Sequence, residues 1–268
     1  LAKVYFYVNI STMSTNKEIK INKLLQSAPH NTVWLASWLA DQNISHDLQQ
    51  RYVKSGWLEK VGTGAFKRKG EKISWLGGVY AVQKQAQRPI HIGGMTALRL
   101  QGFAHYLRSR ENLQLFSPNG INLPRWFTNY KWDEGKPILY HSSLLSEHKN
   151  SFLEHNQNGF DVTVSSPERA ILEAIYLTPK QLDMVEVYQT LEGLANLRPK
   201  LLEKLLEECT SIKVKRLFLF MAKKAGHQWA DFINTDNIDL GTGNRSLSTG
   251  GVFISDFKIT IPKELAEL

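Results

Sequence analysis

One cysteine in 268 residues, Cys209, rules out an intrachain disulfide and any zinc site built on paired thiolates. A lone thiol suits a reducing compartment, and the chain is expected in the cytoplasm. No apolar run approaches the roughly 20 residues that a membrane-spanning helix needs. The opening stretch from Leu1 holds only Val4-Tyr-Phe-Tyr-Val8 and no small-residue cleavage site, so neither a membrane span nor a secretory signal is expected. A polar, helix-starting segment begins at Met13, and residues 1–12 read as an added or upstream stretch set aside from the fold. No Ser-His-Asp order stands out among the eight histidines, and no cofactor motif is complete; the chain reads as a non-enzyme without cofactors.

Basic charge is present, and it is unevenly placed. The net charge is +8, yet residues 13–110 hold fifteen basic residues against five acids, while residues 111–268 hold seventeen against twenty. A segment with three bases per acid attracts polyanions through counterion release, and a near-neutral remainder suits a structural or protein-contacting role. With 42% hydrophobic residues there is material for a core in one or two domains.

Within the basic segment the periodicity predicts three short helices. The first covers Asn16 to Gln26 and ends at Ser27-Ala-Pro29; the second follows a cap at Asn31 or Thr32, with Val33, Leu35, Ala36, Leu39 and Ala40 as its apolar stripe. Asn43-Ile44 breaks it, and Ser45 caps the third, in which Leu48 and Tyr52 face inward. That turns His46, Gln50 and Lys54 outward, with Gln49 and Arg51 on the flanks. Gly56 stops the helix, and Trp57 to Val61, a Gly62-Thr-Gly64 turn and Ala65 to Gly70 form a hairpin with a basic tip. Three helices and a hairpin make a winged helix-turn-helix, in which one helix reads the major groove of double-stranded DNA and the hairpin grips phosphates. The expected grip is Lys67, Arg68, Lys69 and Lys72. A protein-interaction module of the same shape is the plainer alternative, weighed against the charge.

From Leu113 the pattern changes to short apolar runs, LQLFS, PRWFTNY, PILYHSSLL and GFDVTVSS, which predict a mainly antiparallel strand set. Ser165 or Ser166 caps a helix carrying Pro167 and Glu168 in its first turn and Ala170, Ile171, Ala174 and Ile175 on its buried face. Arg169 and Glu173 are left on another side, spaced to pair; Arg169 is the functional candidate of this helix. Amphipathic helices follow at Leu182–Leu194, Pro199–Cys209 and Val214–Ala225, then a Gly-rich loop to Gly251 and a strand at Val252–Ile261. The expected class is α+β: a winged helix-turn-helix over 13–90, followed by a domain of antiparallel strands packed with several helices over 91–268.

The run GWLEKVGTGAFKR from Gly56 resembles the amino-terminal domain of AbiEi-type antitoxins, and SSPERAILEAIYL from Ser165 resembles that family's characteristic helix start. The resemblance spans residues 14 to about 260. It implies the antitoxin of a type IV toxin-antitoxin pair, linked to abortive infection and phage resistance. Such a protein represses its own operon at an inverted-repeat operator and antagonises a cognate AbiEii-type nucleotidyltransferase toxin, with or without touching it. Arg169 would then serve the antitoxin function.

Three constellations were set against this reading. His141, His148 and His155 recur every seven residues but fall on a strand-like stretch without the i, i+4 spacing of a helical zinc site, so no metal is expected. Glu134-Gly-Lys136 with Glu111 is half of a magnesium nuclease motif that lacks its aspartate; a DNA-acting nuclease is therefore the alternative enzyme reading, beside a plain repressor with a sensing second domain. The Gly-rich run from Gly241 with Arg245 lacks the ending of a phosphate loop.

Overall fold

The computed structural model describes residues 20–104, 111–118 and 120–268. The chain divides into two compact units. One gathers the residues up to Gln87 with Pro124–Asp133 and Asn156–Phe160; the other gathers Arg88–Leu123, Glu134–His155 and Asp161–Leu268. The class is mixed α+β, as expected.

In the first unit, residues 20–27 form helix α1, whose Ile21 and Leu24 are buried; the expected start from Asn16 lies outside the described residues. The second helix departs from expectation. Trp34–Leu35 is a strand (β1), and α2 spans only Ala36–Asp41. Thr32 does not cap a helix: its hydroxyl donates to the Pro29 carbonyl at 2.8 Å and accepts the Trp34 indole N–H at 3.1 Å. The apolar stripe was real, but Trp34 and Leu35 pair antiparallel with Phe66 and Ala65. Ser45 caps α3 (His46–Lys54) by accepting from the Leu48 amide, as its position predicts. Gly56, at φ +77°, turns the chain into β2 (Leu58–Gly62) and β3 (Ala65–Arg68).

The three strands form an antiparallel sheet in the order β1-β3-β2. Leu58 lies opposite Arg68 and Gly62 opposite Ala65, with a bulge between Lys60 and Gly62 beside the turn. This register corrects the expected basic tip. The turn is Gly62-Thr63-Gly64, and Lys67, Arg68 and Lys69 sit at the opposite end of β3. Trp34, Leu39, Ile44, Leu48, Tyr52 and Phe66 form the core with α1. Next comes α4 (Trp75–Tyr80), capped by Ser74 and continued by one π-helical stretch, Ala81–Gln85. The Gln85 amide accepts from Leu35 N at 2.8 Å and donates to Val33 O at 2.9 Å.

In the second unit, β4 (His91–Ile92) leads into α5 (Gly94–Leu100), and β5 is Glu111–Ser117. The run PRWFTNY, expected as a strand, is instead helix α6 (Arg125–Asn129) and belongs to the first unit. Pro124 precedes its first turn, and Phe127 and Trp132 pack together, with the Trp132 indole donating to Phe127 O at 2.9 Å. β6 (Gly135–His141), β7 (Phe152–Gln157) and β8 (Phe160–Ser165) complete a five-stranded sheet in the order β6-β5-β4-β8-β7. Its β4–β5 pair is antiparallel, whereas β5–β6 and β4–β8 are parallel, so the sheet is mixed.

Helix α7 (Pro167–Leu177) is buried along almost its whole length, packed by α5 and by α8 (Met184–Glu192), α9 (Pro199–Glu208) and α10 (Ile212–Ala225). Gly226, in the left-handed region, ends α10. The tail holds β9 (Arg245–Ser246), β10 (Val252–Ile254), β11 (Ile259–Ile261) and α11 (Lys263–Glu267), so the single strand expected over Val252–Ile261 is a hairpin. Arg216, 2% exposed, anchors this region by donating to the carbonyls of Leu240, Gly241, Gly243 and Lys258. Among the described residues no helix is long and apolar enough to cross a membrane.

Candidate nucleic-acid interface

Because Leu48 and Tyr52 point into the core, the opposite face of α3 carries His46, Arg51 and Lys54 in the open and Gln50 half-buried. Gln49 is not among them. It is 1% exposed, and its Nε2 donates to the carbonyls of Ala36 and Ile44, both at 2.9 Å, tying α3 to the start of α2. In that position it cannot reach a base edge. Strand β2 runs beside α3, and the two border a groove of about 350 Å³ whose walls include His46, Gln50, Lys60 and the turn Gly62–Gly64. Lys60 escaped the sequence reading, which looked for wing charge only beyond the turn.

The four expected phosphate contacts divide in the structure. Arg68 is turned inward: Nη2 donates to Leu25 O at 2.5 Å and Ala28 O at 2.6 Å, and the guanidinium lies 5.3 Å from the Trp34 ring centre. It closes the carboxyl end of α1, where helix carbonyls lack internal donors. Lys67 donates to Glu71 O at 2.9 Å and lies 3.5 Å from Glu59. Lys72 is exposed and faces Asp133 at 2.7 Å. Lys69 is exposed just past the end of β3. The structure thus brings His46, Gln50 and Lys60 around one groove, with Arg51 and Lys54 on the same helix. An amide is able to bond adenine in two places, and lysine and arginine supply phosphate charge, so the groups needed for base and backbone contact lie together.

The second unit holds a different constellation. Arg169 and Glu173 do pair, with Nε to Oε1 at 2.8 Å, but they are 5% and 2% exposed, not on a solvated face as the stripe of α7 implied. Glu173 Oε1 also meets His91 Nε2 at 2.9 Å, while Oε2 accepts from Gly94 N at 3.1 Å and from the Ser165 hydroxyl at 2.8 Å. Two glycines make this approach available: a side chain at Gly93 would collide with Oε2, and Gly94 takes φ +55°. Burial alone would push the Glu173 carboxyl up. The charges of His91 and Arg169, with hydrogen bonds from His91 and Ser165, outweigh it and hold the group below its ordinary value. Glu168, one turn earlier, is likewise held low against burial, by Arg198, which donates to both its oxygens at 2.8 Å. No local sequence signal marks His91 as a partner of Glu173, 82 residues away.

The remaining constellations disperse. His141 ends β6 and lies 3.3 Å from the Ser117 hydroxyl; His148 meets Glu208 at 2.6 Å; His155 is on β7. Glu134 and Lys136 are exposed at the start of β6, and the side chain of Glu111 lies outside the described residues. Among the described residues no group of three or more His, Cys, Asp or Glu is placed to hold a metal ion. In the Gly-rich run it is carbonyls that converge, upon Arg216, whereas a phosphate cradle requires converging N–H groups.

Residues 17–109 match the family model described as transcriptional regulator, AbiEi antitoxin N-terminal domain, and residues 110–262 match that described as transcriptional regulator, AbiEi antitoxin, type IV TA system. No curated protein matches the chain. The crystal structure of the RV2827C protein from Mycobacterium tuberculosis has a similar fold, with a TM-score of 0.59 at 12% identity over 91% of this chain and 90% of that one.

Proposed function

The chain belongs to the AbiEi antitoxin family of transcriptional regulators, and from that premise we propose that it represses its own operon by sequence-specific promoter binding and counteracts a cognate nucleotidyltransferase-like toxin. The observation that supports the DNA half is the groove between α3 and β2, where His46, Gln50 and Lys60 converge beside Arg51 and Lys54. In this reading α3 enters the major groove, Gln50 reads a base, and Lys60 and Lys69 neutralise phosphates on either side. Two copies occupy the two halves of an inverted repeat, whose centres lie whole turns of about 10 to 10.5 base pairs apart. The second unit serves the toxin, with Arg169 holding its fold together as part of the buried cluster.

Two assays on the full chain test this together. Gel shift on the DNA upstream of its own gene should show binding that an unrelated duplex of equal length does not compete away, and co-expression with the adjacent toxin gene should restore growth. Equal affinity for both duplexes would overturn the repressor reading, and growth arrest despite full-length expression would overturn the antitoxin reading.

A further inference from the structure

In the cluster around Glu173 the carboxylate is saturated, with each oxygen holding two partners, whereas Arg169 and His91 are not. Arg169 commits Nε to Glu173 and Nη1 to Ser146 O at 2.8 Å and the Ser151 hydroxyl at 3.4 Å. Its Nη2 has no hydrogen-bond partner among the described residues, yet it is not among the sealed, unsatisfied atoms. His91 engages Nε2 alone; Nδ1 is likewise unpartnered there and likewise unsealed. Both side chains line a cavity of about 260 Å³, together with Phe116, Glu173 and the loop Ser142–Glu147.

We propose that this cavity is the binding site of a small organic anion, whose carboxylate or phosphate oxygens seat against Arg169 Nη2 and His91 Nδ1. The charge balance favours that occupant. The acceptors of the Glu173 carboxylate are all used and Arg169 Nη2 is an open, charged donor, which an oxyanion completes and a cation is repelled by; His91 Nδ1 adds a second donor to the oxyanion when that nitrogen carries a proton. Ser142 and Ser143 on the loop offer further hydroxyls, whereas that of Ser146 is committed to Glu208, and Phe116, stacked on His91 with ring centres 5.7 Å apart, offers an apolar wall for the carbon skeleton. The volume lies just below the ~300 Å³ at which small-molecule pockets begin, which suits a compact metabolite. Two carboxylates line the cavity: Glu173, engaged by Arg169 and His91, and Glu147, which is exposed and is the one that opposes the anion.

The test titrates the full chain at constant ionic strength with inorganic phosphate and, separately, with acetate, reading the melting temperature. Two variants bracket the site without touching the cluster: Ser143→Trp, which fills the exposed edge, and Glu147→Gln, which removes the opposing charge. The proposal requires a saturable rise of a few degrees with at least one anion. The half-saturating concentration should fall several-fold in Glu147→Gln, and the response should vanish in Ser143→Trp while its anion-free melting temperature stays that of the parent. The tighter of the two anions names the ligand class. Absence of a saturable response to either anion at tens of millimolar, or an undiminished response in Ser143→Trp, overturns the proposal; the second result would place the anion elsewhere, as on the basic face of α3.

Discussion

Replacing Gln50 with Ala removes an amide that borders the α3 groove, whereas the same change at Gln49 removes an amide that bridges two buried carbonyls. Gln50→Ala should therefore cost about 1 to 3 kcal/mol of discrimination at one or two base positions and leave stability within about 0.5 kcal/mol. Gln49→Ala should cost about 1 to 3 kcal/mol of stability with operator preference unchanged among folded molecules. Urea titration and a panel of single-base operator variants separate the two. Helical periodicity placed Leu48 and Tyr52 inside correctly, but a residue on the boundary of a stripe is settled by what lies across from it, and for Gln49 that was the carbonyl of Ala36. The same limit applied to Arg169 and Glu173: their i, i+4 spacing revealed the pair, while the helices packed on α7, with His91 of β4 and Ser165 of β8, enclosed it. Glu173→Gln should destabilise by about 3 to 5 kcal/mol, since it leaves Arg169 and His91 without their counter-charge. The carboxyls of Glu173 and Glu168 are held below their ordinary value, so their stabilisation is complete above about pH 4.3 and is lost as acid titrates them below it. Melting temperature against pH should fall steeply there, and the fall should be shallower in Glu173→Gln.

At the scale of elements, the hairpin was legible from Gly62-Thr-Gly64 and its flanking apolar residues, but the assignment of charge to its tip was not. Register decides which end of β3 Lys67 to Lys69 occupy, and the turn lies before Ala65. The practical consequence is a division of labour between basic residues. Lys60→Ala should weaken binding to every duplex alike and lower the salt slope by about 0.9. Arg68→Ala should instead cost about 1.5 to 3 kcal/mol of stability, because it leaves the carbonyls of Leu25 and Ala28 without a charged donor. A salt-slope change for Arg68→Ala at unchanged stability would reverse these assignments. The strand expected in PRWFTNY failed for a related reason: a short aromatic run has no period of its own, and Pro124 with the Trp132 indole selected one helical turn.

At the scale of the whole molecule, charge follows chain order, but compactness does not. Trp126, Phe127 and Trp132 are buried in the first unit, and Trp132 lies against Gly78 so closely that no side chain fits there. A fragment ending at Ser109 lacks all three rings. Since loss of a single buried Phe or Trp side chain costs about 3 to 5 kcal/mol against a typical domain stability of about 5 to 15, that fragment should melt well below the full chain or without a cooperative transition. Circular dichroism melts of the fragment and the full chain decide it; equal midpoints would mean that the aromatic segment contributes nothing. The amide of Gln85 has a consequence at this scale. It occupies Leu35 N and Val33 O, the two groups that β1 would otherwise offer to a newcomer, and so imitates a neighbour that is absent. An open strand edge is a template on which another chain can pair; with both groups taken by the chain's own glutamine, β1 is closed to a ribbon that would run on from one copy to the next.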